Sequence, residues 1–463
     1  MIRLLLVLLL ASTLAPTRVW AVDKTSPQTM TLPTGPLAFT ASVETIRLSM
    51  PDGAPAADIV TTAFMADGSH RPVTFAFNGG PGAASAWLNL GAIGPWRVPI
   101  TLPIRPSQDP ALVDNTETWL PFTDLVFIDP VGTGYSRALG PGDAQRPFLA
   151  VDADIRTLAT TIHRWLAAHG RLTSPVFIVG ESYGGFRAPL LARALLEQQG
   201  IGVAGLVIVS PVFDFNGRDS PYDPLRWAAR LPVLAAAARG ATTREAVADA
   251  EAYAATDFIT DLLRGPNDPA ALDRLTTRVA ALTGLDPALV RRRQGRIDLD
   301  SALRTAGRVA SSYDATITTP DPFPAAAQDN SPDPVLDGLR APVTAAALTE
   351  YARLGWQPDG EPRVYQLLNG ALAREWDYGR SNTRPEAMTA LRQYLALDPA
   401  ARVVVVHGIT DLVTPYFATA LLLQQVTATP RLSLVVLPGG HMSYLRDDSR
   451  AALATQARAV IER

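Results

Sequence analysis

The sequence predicts an α/β fold, with a mostly parallel central sheet covered by helices on both faces and a mainly helical insertion. Three observations predict it. Continuous Val/Ile/Leu runs alternate with stretches of helical periodicity, the pattern of strands buried on both faces. A tight glycine-rich turn, Gly180-Glu181-Ser182-Tyr183-Gly184-Gly185, joins the end of one such run to a helical stretch. The strand pattern stops near Phe215, yields to an Ala-, Arg- and Pro-rich region, and resumes at Arg402. Two consecutive domains would not show that return.

Residues 1–21 combine a positive end at Arg3, an apolar run over 4–10 and a small-x-small exit at Val19-Trp20-Ala21. They read as a secretory signal cleaved after Ala21, the apolar run being too short for a stable membrane anchor. The first part of the core is expected over 22–215. Residues 22–39 are extended, and 42–50 and 58–65 form a hairpin across Pro51-Asp52-Gly53. A third strand over 71–77 stops at Asn78-Gly79-Gly80-Pro81-Gly82. A short buried strand over 125–128 ends at Asp129-Pro130-Val131-Gly132-Thr133-Gly134-Tyr135-Ser136. Ile155, Leu158, Ala159, Ile162, Trp165 and Leu166 set a helix over 152–168. A strand over 175–179 and a helix over 186–196 flank the glycine-rich turn, and a strand over 206–209 follows. The insertion covers 216–348, with helices over 226–239, 243–263 and 286–294 and a breaker-rich loop over 318–334. The second part of the core, 349–463, returns with strands over 402–407 and 432–437, followed by helices over 416–426 and 450–461.

Of 463 residues, 47% are hydrophobic and 18% charged, the balance of a folded globular protein. Forty-one basic against 44 acidic side chains give a net charge of −3 with no basic block, which argues against nucleic acid or an anionic membrane surface as partner. No later run approaches the ~18 consecutive apolar residues of a membrane span. With no cysteine, the chain has neither disulfides nor thiolate chemistry, and no metal or other cofactor is expected.

A Gly-x-Ser-x-Gly turn between strand and helix lifts its serine clear of the sheet, so Ser182 is the expected nucleophile. Such a serine needs a base, and the base an orienting carboxylate, in the chain order serine, acid, histidine. Of five histidines, His70 lies in a turn and His163 and His169 on or just past a helix. His407 ends a strand and is the second candidate, although a histidine there is usually a satisfied core residue. His441, in the glycine-rich loop after the last strand, is the expected base. Asp411 follows the strand before it, and Thr414-Pro415 supplies the start of the next helix, leaving Asp411 to the imidazole. Two amides must meet the developing oxyanion: that of Tyr183 and one from the 78–82 loop.

The 78–82 and 129–136 blocks, the 180–185 turn, Gly408 to Asp411 with Thr414-Pro415, and Gly439-Gly440-His441-Met442 resemble the successive signature blocks of the serine carboxypeptidases. The resemblance covers roughly 70–215 and 400–450; the insertion matches in position only. It implies an α/β-hydrolase fold with a helical cap, and release of single residues from peptides with a free C-terminus, favoured at acidic pH. It also assigns the Gly80 and Tyr183 amides to the oxyanion, and Asn78 with Glu181 to the substrate's terminal carboxylate. Two carboxyl groups that close must share a proton, so low pH should favour binding. The chain departs from the family at Ala76, where tryptophan is usual, and in lacking the disulfides that many members carry in the insertion. An esterase, an acyltransferase or an inactive binding protein could share the same machinery. Asn78 and Glu181 favour the peptidase, since a neutral ester needs no carboxylate clamp.

Overall fold

Nine strands make the main path of one sheet: β1 (Lys24–Leu32), β2 (Gly35–Ser49), β3 (Pro55–Ala66), β4 (Val73–Phe77), β5 (Asp124–Ile128), β6 (Val176–Glu181), β7 (Val203–Val209), β8 (Arg402–Gly408) and β9 (Leu432–Leu437). The computed structural model describes residues 23–462 apart from 69, 217–219, 306, 326–330, 360–361 and 380–384, so the expected signal segment lies outside the described residues. The strand order is β1-β2-β3-β5-β4-β6-β7-β8-β9, with a two-residue strand, Arg137–Ala138, beside β3. β1, β2 and β3 pair antiparallel, as do β3 and β5, whereas all pairs from β5 to β9 are parallel. The loops that leave β4, β6, β8 and β9 therefore gather at one edge of the sheet.

The parallel strands bury both faces, with side chains alternating between two apolar layers. Val404 and Val406 join Leu453, Ala457, Val460 and Ile461 on one side. Val403 and Val405 join Ile155, Leu158, Ile162, Trp165, Leu191 and Leu195 on the other. The helices concerned are α1 (Val151–Ala168) and α2 (Tyr183–Gln199) on the second side and the C-terminal helix Asp447–Ile461 on the first.

Three differences from the sequence reading bear on the architecture. The segment read only as extended contains β1, which pairs with the start of β2 from Lys24↔Val43 to Leu32↔Gly35. Only Met30 and Leu32 of that edge strand are buried, too few apolar positions for a period of two to register. The helix expected over 243–263 is broken into Glu245–Val247, Ala248–Ala255 and Asp257–Arg264. The second break falls at Thr256, at φ −127° and ψ −96°, whose hydroxyl bonds back to the Ala252 carbonyl at 2.7 Å. Third, residue 348, read as the end of the insertion, falls inside the helix Leu336–Arg353. That helix buries Leu339, Val343, Ala346 and Ala347 with Trp87, Leu88 and Trp96 of the first core layer. Its Ala-rich composition matches that of the insertion helices, which conceals the change of packing partner.

Helices from Pro224–Arg239 to Pro287–Arg292 share a separate apolar cluster around Trp227, Leu231, Phe258, Leu275 and Val279. Ile409, Leu412, Tyr416 and Phe417, from the loop and helix after β8, close that cluster from below. The helical region is thus seated directly on the loop that carries Asp411.

Candidate active site

Ser182 stands between β6 and α2 at φ 60° and ψ −120°, a left-handed conformation that a serine adopts only where the surroundings enforce it. Its amide donates to the Val209 carbonyl at 2.9 Å and its carbonyl accepts from Gly185 N at 2.9 Å. A side chain at Gly180 would place its Cβ 2.0 Å from the Gly184 carbonyl oxygen, so the turn closes this tightly only with glycine there. Ser182 is partly exposed while Glu181 and Tyr183 on either side are buried.

His441 and Asp411 come together as the sequence order predicts. His441 Nδ1 lies 2.8 Å from Asp411 Oδ2, with the two residues only 2% and 0% exposed. A carboxylate facing Nδ1 makes that nitrogen the donor and leaves Nε2 as the basic nitrogen of the neutral ring. Asp411 Oδ1 accepts from the amides of Val413 and Thr414, both at 2.9 Å. Thr414 does not cap the following helix, whose N-cap, Pro415, carries no side-chain cap. Instead its hydroxyl donates to Asp411 Oδ2 at 2.6 Å and stands 3.1 Å from His441 Nδ1. The reason is the loop's tight turn, which points Thr414 inward at the carboxylate rather than along the helix.

Ser210, directly after β7, ties the strand beside the nucleophile's to the histidine loop. It directly follows Val209, the acceptor of the Ser182 amide, and donates its own hydroxyl to the His441 carbonyl at 2.8 Å. The other strand-end histidine, His407, is fully buried with Nε2 2.9 Å from Thr419 Oγ1, and burial pushes it down to about 4. It is a neutral core residue near neutral pH.

A strap from the helical region crosses both loops. The Tyr313 carbonyl accepts the His441 amide at 2.6 Å, and its ring meets the imidazole edge-on with centroids 5.1 Å apart. Leu412 N donates to Ser312 O at 3.1 Å, and Thr410 Oγ1 to Asp314 Oδ1 at 2.8 Å. Nothing in Ser311-Ser312-Tyr313-Asp314 marks it as part of a site when read as sequence.

Tyr183 opens α2, where a backbone N–H has no acceptor within the helix. The 78–82 loop lies directly against that amide: a Cβ at Gly79 would fall 2.4 Å from Tyr183 N, and the next residue, Gly80, sits at φ 98°. Asn78 and Glu181, expected as a pair, share a side-chain hydrogen bond. Asn78 Oδ1 accepts from Leu88 N at 3.0 Å and its carbonyl from Arg187 Nη1 at 2.6 Å. Arg187 is itself buried in a pair with Asp154 at 2.6 Å. Glu181 is 4% exposed, and Tyr444 Oη donates to its Oε2 at 2.7 Å. Burial pushes the Glu181 carboxyl up to about 7, against the pull of His441 and the bonds from Tyr444 and Asn78, while Asp411 adds to the rise. Tyr444, Tyr313 and Arg187 were not visible as site residues in the sequence, because each meets its partner only through the fold; Thr414 stands three residues from Asp411 and read as a helix start instead.

Together these groups place a serine on a strained turn, an imidazole oriented by a carboxylate, the Tyr183 amide against the 78–82 loop and a carboxyl that burial pushes up to about 7. Such an arrangement can carry an acyl group through a covalent intermediate. Among the described residues no group of three or more His, Asp or Glu side chains could hold a metal ion, and no helix is long and apolar enough to cross a membrane.

The family model for the serine carboxypeptidases matches residues 62–232. A pheromone-processing carboxypeptidase of Metarhizium robertsii is 35% identical over 123 residues, covering 26% of this chain and 18% of that protein. A pheromone-processing carboxypeptidase of Talaromyces marneffei is 33% identical over 156 residues, 32% of this chain and 22% of that protein. A serine carboxypeptidase-like protein of Arabidopsis thaliana is 25% identical over 149 residues, 30% and 33% of the two chains. The chain thus spans no more than a third of the length of these relatives. Among solved structures, a proline iminopeptidase of Mycobacterium smegmatis covers 90% of this chain at 15% identity with a TM-score of 0.37.

Proposed function

We propose that this chain, which matches the serine carboxypeptidase family model over residues 62–232, is a serine-type carboxypeptidase, releasing single amino acids from peptides with a free C-terminus at acidic pH. His441, oriented by Asp411, takes the Ser182 hydroxyl proton on Nε2 as Oγ attacks the carbonyl carbon of the last peptide bond. The amides of Gly80 and Tyr183 receive the oxyanion. The imidazolium returns its proton to the peptide nitrogen, the C–N bond breaks and the terminal amino acid leaves. Water then attacks the acyl-enzyme with His441 again as base, which regenerates Ser182 and frees the shortened peptide.

Glu181 carries the choice of substrate. It is a buried carboxyl beside the nucleophile, bonded to Asn78 and held near neutrality. A substrate carboxylate can approach it only when one proton lies between the two. The same arrangement limits turnover to pH below about 7, where Glu181 keeps its proton. In this reading the helical region from Pro224–Arg239 to Pro287–Arg292 is a cap that shapes the pockets on either side of the cleaved bond. Residues 1–21 are the export signal, so the enzyme works in the periplasm or outside the cell.

The experiment compares a blocked dipeptide with a free C-terminus, its C-terminal amide and a simple ester between pH 4 and 8. A strong preference for the free acid, declining toward neutral pH, is expected. In Ser182→Ala turnover should fall by at least about a thousandfold. Equal rates on acid and ester at high pH would identify an esterase, and absence of turnover on all three a binding protein.

A further inference from the structure

We infer that Tyr444 is a positioning residue of the carboxylate pocket: its phenol holds Glu181 in place and thereby couples the histidine loop to the recognition of the substrate's C-terminus. The inference rests on the carboxypeptidase reading and adds a residue to it. Tyr444 lies three positions after His441, in the short turn Ser443–Leu445, and is buried with 1% exposure. Its hydroxyl donates to Glu181 Oε2 at 2.7 Å and also bonds the Asn78 side chain. The ring leans on Gly91, where an added Cβ would fall 3.0 Å from Cε2. Its backbone carbonyl accepts from the buried Arg450 guanidinium at 3.1 Å, so the turn is anchored at both ends of the residue. A buried hydroxyl has no water to turn to, and its bond to the carboxyl strengthens when that group ionises.

The groups that face Glu181 come from every loop around it: Asn78 after β4, Asp411 after β8, His441 and Tyr444 after β9, and Tyr313 from the strap. Only His441 among them can carry a positive charge. With Oε2 committed as the acceptor of the phenol, a proton on Glu181 resides on Oε1 and is the one shared with an incoming carboxylate. Tyr444 thus fixes both the orientation of Glu181 and the oxygen that carries its proton.

The test is Tyr444→Phe, which keeps the ring against Gly91 and removes the hydroxyl. For the blocked dipeptide acid, kcat/KM should fall about tenfold, mostly through KM, while kcat/KM for the matching ester stays within about twofold. The alkaline limb of the acid profile should move to higher pH, because the lost donor had favoured the ionised carboxyl. Replacement of Tyr444 by 3,5-difluorotyrosine, a stronger donor of the same shape, should move that limb to lower pH. In a Glu181→Gln background, Tyr444→Phe should leave the acid-to-ester ratio unchanged, as expected of two residues acting through one contact. Equal losses on acid and ester, or an alkaline limb that stays in place in both Tyr444 variants, would overturn the role. A wild-type enzyme that prefers the acid while Y444F keeps the same preference overturns Tyr444 alone. A wild type indifferent to the terminal carboxylate overturns the pocket and this role together.

Discussion

Glu350→Gln should stabilise the protein above neutral pH and change it little at pH 5. Glu350 lies on the helix Leu336–Arg353, 2% exposed, with Oε2 accepting from Asn89 Nδ2 at 2.7 Å and Oε1 without a hydrogen-bond partner among the described residues. Burial pushes its carboxyl from the ordinary 4.5 up to about 8; Asp129 adds to the rise, and Asn89 and Arg353 oppose it. A carboxyl raised in the folded state binds its proton more tightly there than in the unfolded chain. Stability is therefore lost as pH rises between the two values, at about 1.4 kcal/mol per pH unit. From pH 5 to 8 that amounts to about 4 kcal/mol, a large part of the roughly 5–15 kcal/mol that holds a typical fold together. Glutamine keeps the shape without the titration. Asp129, pushed up to about 7 by its own burial, remains in the variant, so both proteins should still lose stability with pH, the wild type more steeply. Denaturant unfolding at pH 5, 6.5 and 8 measures the gap directly. A gap that stays constant across that range, or closes as pH rises, would refute an ionisation cost at Glu350.

Two further substitutions probe the supports of the site. In Gly440→Ala the new Cβ would fall 1.8 Å from the Tyr313 carbonyl oxygen and 2.6 Å from Asp314 Cα, driving the histidine loop off its strap. Turnover should fall by about a hundredfold with His441 displaced, and retention of wild-type kcat would show that the strap does not position the histidine. Arg187→Met leaves Asp154 buried without its partner and should cost about 3–5 kcal/mol in unfolding free energy. The double variant with Asp154→Leu should recover most of that loss, and no recovery would mean that Arg187 acts through the Asn78 carbonyl instead.

Read by itself, the sequence determined the features whose cause is local. A glycine at 180 is required because the chain turns back within four residues, and that need is met in the five residues around Ser182. Val403 to Val406 alternate between the two core layers because successive side chains of a strand point to opposite faces, and β-branched residues on both faces record it. Asp411 and His441 each follow a strand's end, so a reading of strands and loops was enough to pick them out, whereas Asn78 and Glu181 were marked only by the family resemblance; the fold sets His441 2.8 Å from Asp411 and Asn78 beside Glu181. The tertiary structure alone decided which distant side chains answer them. Tyr444 and Glu181 are 263 residues apart in the chain and 2.7 Å apart in space. Tyr313 reaches His441 only because the helical region sits on the loop after β8, and the helix Leu336–Arg353 packs with Trp96 rather than with the similar helices before it. Composition and periodicity state what a segment needs buried. They do not state against what, because the partner is set by strand order and by the crossing of loops that no short stretch of chain contains.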